Sequence, residues 1–364
     1  MTTDAMGGIF SQSVELAAAL SHEGVEVTLA SMGKRLSSRQ RAEVSAAGAE
    51  LFESEYRLEW MDDPWTDVER AGSWLLEVER STRPDVVHIN GYAHAALPWR
   101  APALVAAHSC VCSWWRAVRA DRAPDRYASY RAAVSRGLAA AACTVAPTAA
   151  MLRELTAEYG TLRRSLVIHD GSATPAAATA PKQPFVLSVG RVWDRSKNIE
   201  VLDAAAAELG VPVFVAGSLA GSDASAPATF PHVRLLGALR RPQLAQWMQD
   251  AAIYAAPALY EPFGSTILEA AAAGCTLVLG NIPSLRELWG GAAVFVDPRD
   301  ARSLARAIEQ LLEDAERCRA LGARAVARAR TYGAELMALR YVSLYRSLLG
   351  QRRTAELAQA ESVS

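Results

Sequence analysis

The feature that most constrains this chain is an alternation of short apolar runs with longer helical patterns along most of its length. Such alternation is typical of βαβ units that form a parallel sheet. The pattern stops between residues 171 and 181, where the chain is uncharged and carries two prolines, and it restarts at Phe185–Val189. An uncharged, aperiodic stretch of this kind is typical of a linker. The sequence therefore predicts two α/β halves, each large enough for a doubly wound domain.

The length of 364 residues agrees with this division, because a domain has about 100–200 residues. We predict an N-terminal domain over residues 1–171, a linker over 172–184 and a C-terminal domain over 185–333. A helix over 334–349 is apolar on most of its surface, which predicts that it packs back onto the N-terminal domain. Residues 350–364 are expected to form a polar, frayed tail.

The start of the chain departs from this pattern. A central first strand is expected before the loop at Gly7-Gly8, yet only the six residues Met1–Met6 precede it. This segment is too short and too polar for a full buried strand. One hypothesis is that the natural protein begins upstream of Met1.

Charge and cysteine content exclude several classes of protein. The net charge of −1 argues against a broad nucleic-acid-binding surface, so we predict no nucleic acid partner. The five cysteines show no metal or disulfide spacing, no secretory signal begins the chain, and no run is apolar enough to span a membrane. We therefore predict a cytoplasmic protein with free thiols, no metal and no cofactor. Only three of the 38 basic residues are lysines, which gives weight to Lys197.

The strongest local motif places two glutamates around the start of a predicted helix. Glu261-Pro-Phe-Gly264 leads into Ser265, Thr266 and an alanine-rich helix that contains Glu269. Ser265 or Thr266 is expected to cap this helix, whose free backbone N–H groups attract an anion. Gly264 would let a phosphate approach closely, and each carboxylate would accept hydrogen bonds from a hydroxylated group. For the glutamate pair by itself, the alternative is a capped helix with two solvated side chains.

A second motif supplies positive charge. Ser188-Val-Gly190-Arg191 follows a strand and Lys197-Asn198 precedes a helix, so Arg191 and Lys197 share one loop at the carboxyl edge of the sheet. Ligands of open α/β sheets bind at that edge. A planar Arg and a compact Lys that face a helix N-terminus would hold a diphosphate without a metal ion. The alternative is two surface cations at a helix start.

These motifs together resemble the retaining family-4 glycosyltransferases of the GT-B fold. Gly190-Arg191 with Lys197-Asn198 is similar to the basic pair of that family, and the segment from Glu261 to Gly274 is similar to its two-glutamate motif. Gly7-Gly8 is similar to its N-terminal glycine loop. The resemblance implies an α/β fold of two doubly wound Rossmann-like domains that face a cleft. The N-terminal domain would bind the acceptor, and the C-terminal domain would bind the nucleotide sugar.

The resemblance also implies roles for individual residues. The implied catalytic residues are Arg191 and Lys197 on the donor diphosphate, Glu261 on the transferred sugar, and His108 near that sugar. The resemblance further implies that Glu269 binds the ribose hydroxyls and that the backbone near Leu236 contacts the base. Gly8 would allow a close approach of the substrates. Phosphate or sugar would contact Phe263, Gly264, Ser265 and Thr266.

Two positions depart from the family pattern. Ile168-His169-Asp170-Gly171 stands where the family commonly has Pro-Asn-Gly, although Asp170 keeps a short polar side chain that suits a turn. Pro283-Ser284 replaces a frequent Pro-Glu. Neither change removes the predicted donor site, but both weaken any transfer of substrate identity.

The predicted acceptor half is rich in tryptophan and arginine. Six of the nine tryptophans lie between Trp60 and Trp115, and five arginines follow between Arg116 and Arg131. One interpretation is an acceptor cleft for an aromatic, sugar or acidic molecule, or contact with a membrane surface. The other, preferred for at least half of these residues, is that tryptophans fill the core and arginines face water. His88 is expected to be structural. Tyr92 and His94 are expected either to face the acceptor or, as the preferred interpretation, to lie in a surface loop.

The predicted activity is transfer of a sugar from a nucleotide-diphosphate sugar, UDP preferred over GDP, to an acceptor hydroxyl. The acceptor would be a sugar, a lipid-linked molecule or a small aromatic molecule. The anomeric configuration would be retained through front-face attack without a metal. A nucleotide-sugar epimerase of the same architecture is one alternative, although the motifs fit transfer better. A degenerate transferase acting as a partner subunit is the other. The incomplete first strand favours it, and the intact donor motifs oppose it.

Overall fold

The computed structural model describes residues 1–5, 8–173, 181–219 and 229–363. The chain folds into two compact units. The first unit comprises Met1–Trp115, Arg122–Gly171 and Ala334–Ser364, and the second comprises Arg116–Asp121 and Ser172–Gly333. In both units the strands are parallel and alternate with helices, which confirms the predicted α/β class with two Rossmann-like halves.

The first unit is built on seven parallel strands within the part of the chain that the structure describes. The strands are β1 (Thr2–Asp4), β2 (Thr28–Met32), β3 (Glu50–Glu53), β4 (Val87–Ile89), β5 (Ala103–Ala106), β6 (Cys143–Ala146) and β7 (Ser165–Val167). The helices are α1 (Gly8–His22), α2 (Ser38–Ala46), α3 (Trp65–Thr82), α4 (Val111–Arg119), α5 (Ala128–Ala140) and α6 (Ala149–Tyr159). β3 carries little sequence signal, because it is short, begins and ends with Glu, and is only partly buried.

The expectation that the segment before Gly7-Gly8 forms no buried strand is wrong. Thr2, Thr3 and Asp4 are buried and form β1, which pairs in parallel with β2. The strands form two ladders, in the orders β3-β2-β1 and β4-β5-β6-β7. Asn90 joins β4 to β1, because its backbone N–H donates to Thr2 Oγ1 at 2.8 Å and its side-chain amide donates to the Thr2 carbonyl at 2.8 Å. Hydrogen bonds that involve the Thr2 and Asn90 side chains therefore connect β1 to the end of β4, in place of a ladder between these two strands.

The second unit holds a sheet of six parallel strands among its described residues. The strands are β8 (Gln183–Val189), β9 (Val213–Ala216), β10 (Arg234–Gly237), β11 (Ala251–Ala256), β12 (Thr276–Gly280) and β13 (Ala293–Val296). The helices are α7 (Ile199–Ala206), α8 (Arg241–Asp250), α9 (Ser265–Ala272), α10 (Pro283–Trp289), α11 (Ala301–Glu313) and α12 (Ala315–Ala329). The strand order is β10-β9-β8-β11-β12-β13. The order reverses between β8 and β11, which makes this pair the topological switch point.

The predicted linker over residues 172–184 is too long. Gln183 and Pro184 already belong to β8. Ser172 forms an isolated parallel bridge with Gly333, and its N–H donates to the Tyr332 carbonyl at 3.2 Å. Residues 174–180 of the predicted linker lie outside the described residues. The second unit therefore begins at Ser172 rather than at residue 185.

The last helix, α13 (Ala334–Val363), belongs to the first unit. Met337, Tyr341 and Leu344 are buried in a core that they share with Leu16 and Leu20 of α1. The expectation of a frayed polar tail over residues 350–364 is wrong, because α13 continues through Val363. A helix needs only continuous backbone hydrogen bonds, so its polar end can extend a packed apolar half.

We predict that the buried face of α13 stabilises the first unit. Leu344 is 3% exposed and Leu339 is 49% exposed on the same helix. Leu344→Ala should lower the free energy of unfolding by about 2–4 kcal/mol through lost burial and a cavity. Leu339→Ala, the matched control, should change it by less than about 0.5 kcal/mol. Urea unfolding followed by circular dichroism measures both. An equal loss in the two variants would show that α13 is not packed in this way.

Candidate active site

The predicted donor motifs meet at the centre of the second sheet. Arg191 and Lys197 lie on the loop after β8, and Glu261 lies on the loop after β11. Because β8 and β11 are parallel neighbours, both loops leave the sheet at its carboxyl edge. The Leu259 N–H donates to the Ser196 carbonyl at 2.9 Å and joins the two loops. The structure therefore brings the two motifs together at the switch point, where open α/β sheets bind ligands.

Asp194 organises the loop after β8. Its Oδ2 accepts a charged hydrogen bond from Arg191 at 2.6 Å, and its Oδ1 accepts from the Ser196 N–H and hydroxyl at 3.0 and 2.6 Å. Burial by itself would raise the pKa of this carboxyl, but Arg191, Ser196 and Lys197 together hold the pKa below its ordinary value. Asp194 is therefore an anchoring anion beside both predicted cations. Asp194 was not among the predicted site residues, although a short acidic residue just before a helical turn is a capping signal.

Asn198 fixes the other end of this loop. It adopts a left-handed backbone conformation with φ of 59°, which asparagine tolerates better than most residues. Its side-chain amide donates to the carbonyls of Pro257 and Pro298 at 2.8 and 2.5 Å. The end of the Lys197 loop is thereby tied to the chain that follows β11.

Lys197 and Glu261 form an ion pair. Lys197 Nζ lies 2.5 Å from Glu261 Oε2, and the two side chains are 22% and 15% exposed. The aliphatic part of Lys197 lies over Gly190, where a Cβ would be 3.0 Å from Lys197 Cγ. The pair is therefore partly shielded from water and still accessible to a ligand.

Gly264 shapes the turn into α9. Its φ of 88° lies in the left-handed region, and a Cβ there would lie 2.7 Å from Ile267 Cδ1. Gly264 itself is the N-cap of α9, and no side chain caps the helix. The prediction that Ser265 or Thr266 caps it is wrong, because both residues already lie within the first turn. The uncapped turn carries the positive end of the helix dipole next to Glu261.

Phe263 is part of the core. Its side chain is 4% exposed and meets the Tyr332 ring edge-on at a centroid distance of 5.7 Å. Only its backbone is left for the nucleotide-sugar contact predicted at this position. The ring anchors the turn that carries Glu261 and Gly264.

Thr266 and Glu269 lie on one side of α9, near Tyr254 of β11. The Tyr254 hydroxyl donates to Thr266 Oγ1 at 2.9 Å. Burial raises the pKa of Tyr254, and the nearby carboxylates of Glu261 and Glu269 raise it further. Both predicted carboxylates therefore act on one buried hydroxyl. Glu269 lies one turn inside α9 and is half-buried, as expected from the sequence.

Ser284 is a contact that the sequence analysis missed. Its hydroxyl donates to the Glu261 carbonyl at 2.6 Å from the start of α10. The sequence analysis treated this serine only as a departure from a family pattern. In the structure it holds the main chain of a predicted catalytic residue.

Leu236 lies at the end of β10 rather than after it. Its side chain is half-buried against the core of the second unit, so only its backbone suits the predicted contact with a base. The neighbouring Gly237 carbonyl accepts from the Gly217 N–H at 2.8 Å. A Cβ on Gly217 would lie 1.8 Å from the Gly190 carbonyl oxygen, so only glycine fits there. This close approach packs the Gly190 turn against the end of β9.

A second polar cluster lies at the carboxyl edge of the first sheet. His108, which follows β5, is 13% exposed, and its Nε2 lies 3.0 Å from Asn90 Oδ1. Its Nδ1 lies 3.8 Å from Asp170 Oδ2. Gly8 begins α1 and is exposed, and no protein atom lies within 4 Å of the place that a Cβ would take. The structure thus places both residues in the first unit, with His108 after β5 and Gly8 at the start of the helix that follows β1.

The carboxylate of Glu59 anchors the loop after β4. Glu59 accepts hydrogen bonds from the Tyr92 and Ala93 N–H groups at 3.0 and 2.7 Å. Burial raises the pKa of Glu59 to about 7, although these N–H groups oppose the shift. Tyr92 and His94 are 3% and 7% exposed, so the expectation of a surface loop is wrong.

His88 has a structural environment, as the sequence analysis expected. It is 4% exposed, and its Nδ1 lies 2.8 Å from the Tyr345 hydroxyl of α13. Burial lowers the pKa of His88 well below its ordinary value, so the ring is neutral.

The tryptophan-rich region of the first unit is mostly packed. Four of its tryptophans lie against buried clusters: Trp65, Trp74, Trp99 and Trp115. Arg126 lies over the rings of Trp115 and Tyr127, at centroid distances of 5.9 and 5.1 Å. Trp60 is 39% exposed. The core interpretation therefore holds for at least half of these tryptophans.

Within the described parts of the chain, no three His, Cys, Asp or Glu side chains come together as ligands for a metal ion. None of the helices that the structure describes combines the length and the apolar character needed to cross a bilayer.

Two family models match this chain. That of Glycosyltransferase Family 4 matches residues 6–173, and that of Glycosyl transferases group 1 matches residues 173–328. The chain belongs to the family-4 glycosyltransferases. The two matches meet at residue 173, close to the boundary between the two units of the structure.

Curated relatives of this family-4 chain include two named sugar-transfer proteins. Glycogen synthase of Mycobacterium tuberculosis is 31% identical over 274 residues, which cover 67% of this chain and 64% of the synthase. D-inositol 3-phosphate glycosyltransferase of Thermobispora bispora is 34% identical over 119 residues, 32% of this chain and 28% of that protein. The matches span less than two thirds of the length of these relatives.

Solved structures of low sequence identity share the fold of this family-4 chain. Sucrose-phosphate synthase from Thermosynechococcus elongatus superposes with a TM-score of 0.80 at 20% identity and covers 96% of each chain. HepE of Anabaena, solved in complex with UDP-glucose, gives a TM-score of 0.74 at 15% identity over 95% of this chain and 100% of that one. These neighbours are GT-B glycosyltransferases, which establishes the GT-B fold.

We predict that Asp194→Asn weakens nucleotide binding. Without the carboxylate, Arg191, whose side chain is 49% exposed, loses its anchor, and the Lys197 loop loosens. The affinity for UDP should fall by about 3- to 10-fold, as expected for one partly exposed charge pair. Isothermal titration calorimetry measures the change.

Asp203→Asn is the matched control for this prediction. Asp203 is also a buried carboxylate of the second unit, and it accepts the His232 and Val233 N–H groups before β10 begins. That position is the amino edge of the sheet, opposite the predicted site. We expect unchanged UDP affinity in this control. An equal loss in both variants would mean that general stability, rather than the Arg191 anchor, sets the affinity.

Proposed function

We propose that this chain transfers a sugar from a nucleotide-diphosphate sugar to an acceptor hydroxyl, with the anomeric configuration retained. Membership in the family-4 glycosyltransferases supports the reaction class. The observation that carries the proposal is the Lys197–Glu261 pair beside the uncapped N-terminus of α9. A cation, a carboxylate and free backbone N–H groups meet there, and together they suit a phosphorylated sugar.

The donor would occupy this pair in a defined way. Lys197 would interact with the diphosphate as well as with Glu261, and Arg191 would contribute a second positive charge. Glu261 would then accept hydrogen bonds from hydroxyls of the transferred sugar, because a carboxylate is a pure acceptor. Glu269, one turn along α9, would accept from the ribose hydroxyls. The backbone of residues 263–266 and of Leu236 would supply the remaining contacts.

The proposed reaction breaks the bond between the anomeric carbon and the diphosphate oxygen. The acceptor oxygen forms its bond to that carbon on the same face, and the acceptor proton passes to the departing phosphate oxygen. Negative charge grows on the diphosphate as the bond breaks. Lys197, Arg191 and the α9 N-terminus are placed to stabilise that charge, which is usually the largest contribution to such catalysis. These groups supply the charge stabilisation for which other transferases use a metal ion, so we propose metal-independent transfer.

The acceptor would bind on the first unit, where Gly8 and His108 lie. We propose a sugar, a lipid-linked molecule or a small aromatic molecule as the acceptor. The exposed Trp60 supports a hydrophobic or sugar-stacking contact. UDP is the preferred nucleotide of the proposal, supported by HepE, which shares this fold and was solved with UDP-glucose. A cytoplasmic location and a membrane contact through the tryptophan-rich region stay predictions.

Lys197→Ala tests the role of the cation. We expect kcat/KM to fall by about 100-fold or more, as when one preorganised donor to a developing oxyanion is removed. Lys197→Arg should recover part of the rate, because it restores the charge with a different shape. Lys34→Ala removes an exposed lysine of the first unit and should leave kcat/KM unchanged. Turnover of Lys197→Ala at the wild-type rate would contradict the diphosphate role.

A panel of UDP- and GDP-sugars separates the candidate functions. Slow release of free sugar and nucleotide, or transfer to an added acceptor with retained configuration, is expected of a transferase. A new nucleotide sugar would identify an epimerase, and no binding would identify a degenerate subunit. The pairing of β1 with β2 supports an active transferase over the degenerate subunit, for which an incomplete first strand was the argument. The same panel with EDTA should give unchanged rates, and a loss restored by a divalent cation would overturn metal independence.

A further inference from the structure

Asn90 determines the orientation of the His108 ring. The amide nitrogen of Asn90 donates to the Thr2 carbonyl at 2.8 Å and to Ser13 Oγ at 3.1 Å. Both donor positions of the amide are thereby used, so its oxygen is the atom that faces His108 Nε2 at 3.0 Å. The ring nitrogen is therefore the donor in this contact.

Asp170 faces the other ring nitrogen of His108. Its Oδ2 lies 3.8 Å from His108 Nδ1, and its Oδ1 accepts from Gln12 Nε2 at 3.0 Å. Asp170 is 8% exposed and Gln12 is 6% exposed. Gln12 also contacts Met337 Sδ of α13 at 2.8 Å. Gln12 of α1 thus holds the Asp170 carboxylate, which lies next to the partly exposed imidazole of His108.

We propose that Asp170 is a positioning residue for His108 in the transfer reaction, an inference that rests on the proposed function. The Asn90 oxygen at Nε2 fixes one edge of the ring, and the Asp170 carboxylate lies 3.8 Å from Nδ1 at the other edge. His108 then meets the substrates with a fixed ring rather than as the base that removes the acceptor proton. Gln12 belongs to the same device, because it sets the direction of the Asp170 carboxylate.

The proposal depends on a carboxylate, rather than an amide, at residue 170. An asparagine at this place would satisfy Gln12 with its oxygen and turn its amide toward Nδ1. That arrangement reverses the polarity of the contact without changing its shape. Asp170→Asn is accordingly a shape-conserving test of the charge.

A double-mutant cycle tests the proposal through steady-state kinetics with the donor and acceptor that the wild type uses. Asp170→Asn should lower kcat by about 10-fold, since a small loss of orientation is costly, and should leave the donor KM within about twofold. The same change in a His108→Ala background should alter kcat by less than about twofold. An equal fall in both backgrounds, or no fall in the wild-type background, would overturn the proposal.

Two further variants keep this test decisive. Asp85→Asn removes one negative charge at an exposed site before β4, at the opposite edge of the same sheet, and should leave kcat unchanged. If Asp170→Asn does not fold, Gln12→Met frees the carboxylate while keeping the side-chain length. The decrease in kcat that Gln12→Met causes should likewise disappear in the His108→Ala background. A decrease that persists there would overturn the proposal.

A readout without turnover separates this inference from the proposed function. In NMR spectra of the unliganded protein, the His108 ring signals should move in Asp170→Asn and stay in place in Asp85→Asn. His22, at the end of α1, and His232, in the segment before β10, serve as internal references. If the wild type transfers no sugar but these signals move, the proposed function fails and the contact stands. If they do not move, Asp170 does not position His108.

Discussion

The parallel pairing of β8 with β11 is the constraint on which the candidate donor site depends. Parallel neighbours release their following loops at the same edge of the sheet, so Lys197 and Glu261, 64 positions apart in the chain, meet at 2.5 Å. The strand order reverses between β8 and β11, and open α/β sheets bind ligands at such a point. Asn198 and the Leu259–Ser196 hydrogen bond then lock the two loops together. The sheet topology therefore determines where the charged groups lie, because they belong to loops that the strands position.

Each unit contains a buried carboxylate next to a partly exposed side chain that carries nitrogen atoms. Asp194 anchors Arg191 in the second unit, and Asp170 faces His108 in the first. A charge of this kind costs desolvation energy when buried, so the structure surrounds each carboxylate with donors. Ser196 serves Asp194, and Gln12 serves Asp170. Such supporting shells convert flexible side chains into oriented groups, which is the requirement for catalysis by electrostatic preorganisation.

Several predictions failed for physical reasons that single residues illustrate. Gly264 occupies the N-cap position of α9 without a capping side chain, because its φ of 88° suits glycine, and Ser265 and Thr266 already lie inside the helix. The polar Thr2–Asp4 segment forms a strand because Asn90 and β2 supply its hydrogen bonds. Ser284 and Gln12 lie far in sequence from the residues that they hold, at Glu261 and Asp170. No local pattern reports contacts that form only when distant segments meet.

The sequence by itself determined the two α/β halves, the GT-B resemblance and the residues of the donor motifs. Periodicity and short spacings carry that information, since a strand, a turn and a helix start are each encoded within a few residues. Only the tertiary structure decided which charges pair, which carboxylates stand behind them and which side chains are buried. Asp170 and Asp194 are ordinary polar residues until folding removes water from around them. Their influence on His108 and Arg191 depends on distance and burial, and both are properties of the folded chain.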